Sequence, residues 1–373
     1  MTDARLSRRA ALMLGLGAVG AAHAGPLAST PLKVALLGQC VIKHDLCAQN
    51  WPGMRPLARH LSGNDVVFSE MESVVRGPLA GTSTREDPEL LHAAGSEVLH
   101  CLKALRFNLL ALSGNHAFDL GTGGILSTIE AMRGAGFAFA GIGRSLDEAA
   151  APGYVETSNG SVGLVAMATG KVREGGAATA SRGGVNEIRI ESGVPNAEDV
   201  ERYLSAIGQA RANAPTVIAY QHNHVWDADI TLPPDWQRAL AKRCVDAGAS
   251  VFVGHGAPMV QGIEVYRGAP LFYSLGSFIF QTDTPPGRYP AEAWDGVIVD
   301  CDFRDGRCVS ARVAPIVLDE QGAGGPRDFA TRGRPSLVSG AAAARILDRL
   351  VGRSRKLGVT VTRHGDSAEV RLG

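Results

Sequence analysis

The chain has 373 residues, with 37 basic and 37 acidic side chains, 45 % apolar content and 6 % aromatic content. That is enough apolar material for a buried core, so collagen-like and disordered readings fall away. The balanced charge removes the basic field on which generic nucleic-acid binding and adhesion to anionic membranes depend.

Residues 1–24 read as an export signal outside the fold. Arg8-Arg9 precedes an apolar run from Ala10 to Ala22, and Ala22-His23-Ala24 supplies a small-residue cleavage site. The run is too short to span a bilayer, and the arginine pair points to the twin-arginine route, hence to the periplasm or cell surface. Cleavage would remove one Asp and three Arg, leaving 349 residues with a charge of about −2. No later segment approaches 18 uninterrupted apolar residues, so no integral membrane span is expected in the mature chain.

Strand-like and helix-like segments then alternate. Short runs rich in Val, Ile and Leu predict strands at 32–37, 66–70, 109–112, 161–168, 216–220 and 251–253. Helical patterns fall between them at 89–105, 123–135, 197–212 and 235–247. This rhythm implies an α/β layered fold. After Val251 two hairpins are expected, 262–266 with 270–274 and 297–301 with 309–317, forming antiparallel sheet. The organisation expected is one domain over residues 25–320, an exposed loop at 321–339 rich in Gly, Pro and Arg, and a C-terminal helix with short strands over 340–373 packing on the domain. Six cysteines in a chain of this length do not make a disulfide framework, and Cys301 and Cys308 sit diagonally across their hairpin, so mostly buried free thiols are expected.

Polar residues gather where the predicted strands end, the place where open α/β sheets hold ligands. Gln39 follows the first strand, Glu70 and Glu72 close the second, and Asn115-His116 with Asp119 follow the third. His222 and His224 close a later strand, two residues apart and so on one side of an extended chain, and His255 closes another. Gly114 permits a tight turn before Asn115 and His116, which offer an oxygen ligand and a proton donor, while Asp119 would fix the imidazole tautomer.

The blocks Ser113-Gly114-Asn115-His116-Ala117-Phe118-Asp119-Leu120-Gly121, Gly254-His255-Gly256, Gln261-Gly262-Ile263-Glu264-Val265-Tyr266 and Phe272-Tyr273-Ser274-Leu275-Gly276-Ser277-Phe278 resemble those of the bacterial capsule-synthesis CapA family. That family is linked to poly-γ-glutamate capsules and is similar to calcineurin-type metallophosphoesterases; the resemblance runs from about Lys33 to Gln281. It implies a four-layered α/β/β/α sandwich. By position it nominates Glu72, Asn115, His222 and His255 as metal ligands, with Gln39 or His224 filling in, and His116 as proton donor near the leaving group. The chain departs from the family pattern at Gln39, where a charged bridging ligand is usual, and at Pro258, where a further His is usual.

Mixed imidazole and oxygen donors favour one divalent transition metal, Zn, Mn or Fe, with a second left open. Cys40 beside Gln39 reads as a buried structural thiol. His116, Asp119 and His224 are the expected catalytic group, and Arg76, Arg85, Lys171 and Arg173 are candidate contacts for an anionic small-molecule or polymer substrate. The leading expectation is an exported metal-dependent hydrolase acting on a phosphoester or a poly-γ-glutamate-related substrate. The rival is a non-catalytic binding or assembly protein for capsule polymer with a degenerate metal site. A nucleotidase with Trp226 and Tyr289 clamping a base ranks behind both.

Overall fold

A computed structural model of the protein describes residues 30–49 and 51–373; the expected export signal lies outside them. Two sheets carry the fold. The larger has nine strands and is built on β1 (Leu32–Leu37), β2 (Val66–Glu70), β3 (Leu109–Ala111) and β4 (Ala138–Ala140), which run parallel in that order. The smaller has six strands, with β5 (Gly153–Thr157) and β6 (Gly160–Thr169) at one edge, followed by β7 (Thr216–Asn223) and β8 (Val251–His255). The hairpin β9 (Ile263–Tyr266) and β10 (Ala269–Phe272) completes it through a parallel pairing of β10 with β8. The long hairpin β11 (Asp295–Arg304) and β12 (Arg307–Leu318) extends the larger sheet antiparallel from β1. The central strands read as unbroken apolar runs because both of their faces are covered.

Alternate side chains divide the core into layers. Val34 and Leu36 of β1, Phe68 of β2, Leu164 of β6 and Ile218 and Tyr220 of β7 meet between the sheets. The outer face of the larger sheet packs on helices α1 (Met54–Leu61), α2 (Val98–Ala104) and α3 (Gly121–Gly134) through Leu57, Leu61, Leu102 and Ile125. The outer face of the smaller sheet packs on α4 (Ala197–Asn213) and α5 (Asp235–Asp246) through Val200, Tyr203, Ile207 and Leu240. The result is the α/β/β/α sandwich. Helix α6 (Gly340–Lys356) adds Ile346, Leu347 and Leu350 to the inter-sheet core, and Arg345 and Arg349 pair with Asp295 at the start of β11.

Local chemistry explains the helix ends. The Asn196 side chain accepts from the backbone of Glu198 and Asp199 at 3.1 and 3.2 Å, capping α4, and both acids complement the positive end of the helix dipole. His60, in the last turn of α1, lies 2.8 Å from Asp300 on β11. The hydrogen bond to Asp300 raises the His60 pKa against the opposing effect of burial. A raised folded-state value stabilises below about pH 6.5, and the contribution is lost as pH rises through the folded value. His60→Ala is therefore expected to cost about 1 kcal/mol at pH 5.5 and far less at pH 9. Urea unfolding at the two pH values tests this; an equal cost at both would refute it.

Two expectations change, and one cysteine pairing is added to them. The single helix over 89–105 is broken: a short 3-10 turn at Pro88–Leu90 is followed by the two-residue strand Ala93–Ala94, and only Val98–Ala104 is α-helical. Val74 N donates to His92 O at 2.9 Å and Arg76 N to Ala94 O at 2.7 Å, so tertiary pairing overrides the helical pattern. The stretch 321–339 is anchored rather than loose, since Pro335–Leu337 pairs with β12 and Arg332 is 1 % exposed, stacked over Trp294 and donating to Thr282 O and Thr284 O. Finally, Cys47 and Cys101 form a disulfide across a sequence separation of 54. Cys40, Cys244, Cys301 and Cys308 are buried free thiols, and the register sets Cys308 opposite Phe303, leaving Cys301 on the diagonal.

Candidate metal centre

The ends of β1, β2, β3, β7 and β8 converge where the two sheets face each other. β7 pairs with β8 so that His222 lies beside His255, and β2 pairs with β3 so that Glu70 lies beside Ala111, just ahead of Asn115 and His116. All five polar side chains are almost wholly buried.

His222 is the centre of the arrangement. Its Nδ1 donates to Glu70 Oε2 at 2.9 Å. Its Nε2 lies 2.9 Å from Asn115 Oδ1 and 3.6 Å from Glu72 Oε1. Glu70 thus fixes the ring, and the remaining nitrogen faces two oxygen acceptors. Three acceptor atoms at this separation repel unless a proton or a cation lies among them. Burial works against charging His222, but Glu70 and Glu72 outweigh it and raise its pKa. Burial alone would raise Glu70, and the charge and hydrogen bond of His222 instead hold it well below the carboxylate range. Glu72 is pushed up to about 8, by burial first and by the charge of Glu70, with His222 opposing.

A second group sits across Glu72. His116 Nδ1 lies 2.8 Å from Asp119 Oδ2, and its Nε2 is 3.9 Å from Glu72 Oε1. Asp119 also accepts from Arg85 Nε and from the backbone N–H of His92, while Arg85 Nη2 donates to Asn115 O at 2.7 Å. The His92 ring stacks on that of His116 at 3.6 Å between centroids. Burial, then the nearby Arg85, lowers the His116 pKa well below normal, so a neutral ring carries its proton on Nδ1 and a lone pair on Nε2.

The expected ligands are distributed unevenly. Glu72, Asn115 and His222 meet, and His224 joins them: one ligand atom each from Glu72, His222 and His224 lies within 4.8 Å of the others. His255 Nδ1 is 3.6 Å from Glu70 Oε2 and stands outside this cluster. Gln39 points its Oε1 at the backbone N–H of Gly256 at 2.8 Å and so braces the turn after His255. Cys40 is pushed up to about 12 by burial and remains a thiol beside Ser69. Of the cationic candidates, Arg85 is tied to Asp119, Arg173 donates to Thr84 O, Lys171 lies 5.4 Å from the Trp226 ring, and Arg76 is exposed. Trp226 packs on His224 and Tyr289 on Phe280, at 4.9 and 5.0 Å between centroids.

The donor set fits a transition metal. Both ring nitrogens of His224, within the cluster, are buried without a hydrogen-bond partner among the described residues. Orphaned imidazoles of this kind cost about 1–3 kcal/mol each, which a bound cation would offset. Sequence reasoning gave Glu70 no partner and passed over His92. Strand-end position was the only signal for Glu70, and nothing in the composition around His92 marks it.

Comparison with known proteins shows similarity to capsule-synthesis proteins. The profile of the family described as bacterial capsule synthesis protein PGA_cap matches residues 29–282. The PGA biosynthesis protein CapA of Bacillus subtilis is 32 % identical over 271 residues, covering 69 % of this chain and 66 % of that protein. The capsule biosynthesis protein CapA of Bacillus anthracis is 24 % identical over 322 residues, covering 85 % and 71 %. Among solved structures, the NAD nucleotidase NadN of Haemophilus influenzae aligns with a TM-score of 0.40 at 11 % identity, over 87 % of this chain and 66 % of that one.

Proposed function

Since the chain belongs to the bacterial capsule synthesis family, matched over residues 29–282, we propose that it is an exported metal-dependent hydrolase acting on an anionic capsule-related substrate. The bond cleaved is a phosphoester or a γ-glutamyl amide, and the site of action is the periplasm or cell surface. Among the described residues no helix is long and apolar enough to cross a membrane. The observation that carries the reading is the meeting of His222 Nε2 with Asn115 Oδ1 and Glu72 Oε1, two oxygen acceptors within 3.6 Å of the imidazole nitrogen.

Glu72, Asn115, His222 and His224 would hold one Zn, Mn or Fe ion, as the mix of imidazole and oxygen donors favours. When bound, such a cation polarises the scissile centre and brings the pKa of water toward ~7. Glu70 keeps the His222 lone pair aimed at the ligand position by accepting from Nδ1. Asp119 holds His116 by Nδ1, so that proton movement takes place at Nε2, 3.9 Å from Glu72 Oε1. Arg85 clamps Asp119 and the Asn115 carbonyl, fixing both.

A second reading, a non-catalytic polymer-binding or assembly protein, draws on one observation: Gln39 supplies a neutral amide already engaged with Gly256. Hydrolysis of a generic phosphodiester and of poly-γ-glutamate by the metal-loaded protein separates the two. His116→Gln is expected to lower turnover about 10²–10⁴-fold. Turnover that survives His116→Gln unchanged would remove His116 from the chemistry, and no hydrolysis of either substrate by a metal-loaded protein would favour the binding reading.

A further inference from the structure

Beyond the cation position at His222, we propose that His92, His116 and Glu72 form a second transition-metal site, with Glu72 shared between the two. His92 belongs to none of the strand-end patterns. It is 4 % exposed, and neither ring nitrogen has a hydrogen-bond partner among the described residues. Its position is fixed all the same. The backbone N–H donates to Asp119 Oδ2 at 3.0 Å, the carbonyl accepts from Val74, and the ring lies 19° from parallel on His116. A ring that served only as packing would be replaced by Phe or Leu without leaving two orphaned nitrogens.

His116 presents the complementary atom. Asp119 takes hydrogen bonds from Arg85 and from the His92 backbone, so it acts as an acceptor and His116 Nδ1 supplies the hydrogen between them. Nε2 is then a lone pair directed toward Glu72 Oε1 at 3.9 Å. One ligand atom from each of Glu72, His92 and His116 lies within 4.8 Å of the other two. Two imidazoles and a carboxylate, with a water to complete the shell, suit Zn or another first-row divalent ion and not Ca or Mg. Asp119 behind His116 supplies the outer partner that metal-bound histidines ordinarily have.

Occupation of this site engages the Nε2 lone pair of His116, so cation binding here and proton transfer at that atom exclude each other. Resting on the hydrolase reading, this predicts turnover that rises with the first equivalent of metal and falls with the second.

The test is titration of the metal-free full chain with Zn²⁺, followed by calorimetry, and with Co²⁺, followed by its visible absorption. It uses the wild type, His92→Phe, His92→Gln and His222→Ala, with circular dichroism as a folding control. His92→Phe keeps the stacked ring and removes its ligand atoms. A second equivalent that binds the wild type and His222→Ala but is lost in both His92 variants supports the site. A single equivalent lost in the His92 variants and kept in His222→Ala also supports it, while overturning the site assigned to His222. Unchanged stoichiometry in folded His92 variants, or one equivalent that depends on His222 alone, overturns the proposal and leaves the His222 reading standing.

Discussion

Glu72→Gln is expected to remove metal from the protein and turnover with it, while leaving the metal-free chain at least as stable as the wild type. Glu72 is the carboxylate common to the cluster with His222 and His224 and to the cluster with His92 and His116. Its loss should exceed the roughly 10–100-fold drop in affinity that follows removal of an outer-shell partner. The stability half of the prediction has the opposite sign. Burial raises the Glu72 pKa to about 8, with Glu70 adding to the shift. A carboxyl raised above its unfolded value stabilises only while protonated, so the wild type loses stability as pH rises from about 4.5 toward 8, and the Gln variant does not. Melting temperatures in EDTA across that window should diverge upward for the variant, because a buried charge without its cation is replaced by a neutral isostere. A variant that unfolds more readily than the wild type at pH 8 would show that Glu72 is a structural anchor and not a ligand.

Breaking the Cys47–Cys101 bridge is expected to cost about 4 kcal/mol, because the disulfide closes a loop of 54 residues in the unfolded chain. The bridge ties the segment after the first strand to α2, and the loop it closes contains Glu70, Glu72 and His92. Its removal should lower both the urea midpoint and metal affinity. Urea unfolding of Cys47→Ala/Cys101→Ala against the oxidised wild type measures the first effect, and Zn²⁺ titration the second. A midpoint within the error of the wild type would mean that the bridge restrains nothing that folding does not already restrain.

The strands of the two parallel cores were legible because burial on both faces leaves continuous apolar runs. The expected 32–37 and 66–70 coincide with Leu32–Leu37 and Val66–Glu70 in the structure. The helices that begin at Ala197 and Asp235 were legible from their periodicity and acidic first turns. The segment around His92 was not, because what breaks it is pairing of Ala93–Ala94 with Val74–Val75 from a distant turn, and pattern reading sees only neighbours in sequence. The disulfide was illegible for the same reason. At the site, His222, Asn115 and Glu72 could be nominated from strand ends and family resemblance. The part played by Glu70 could not, since a strand-end glutamate looks alike whether it faces solvent or an imidazole across the sheet interface. Gln39 was legible as a departure from the family, but only the fold shows its amide turned onto Gly256.

Side chains from β7 and from the turns after β2 and β3 are proposed to hold a transition metal. Elemental analysis of the folded protein measures this directly, with the wild type and His222→Ala compared after identical purification. Zn, Mn or Fe is expected in stoichiometric amount in the wild type, with a clear loss in His222→Ala. Wild-type protein free of transition metal, or a metal content that His222→Ala leaves unchanged, would contradict it.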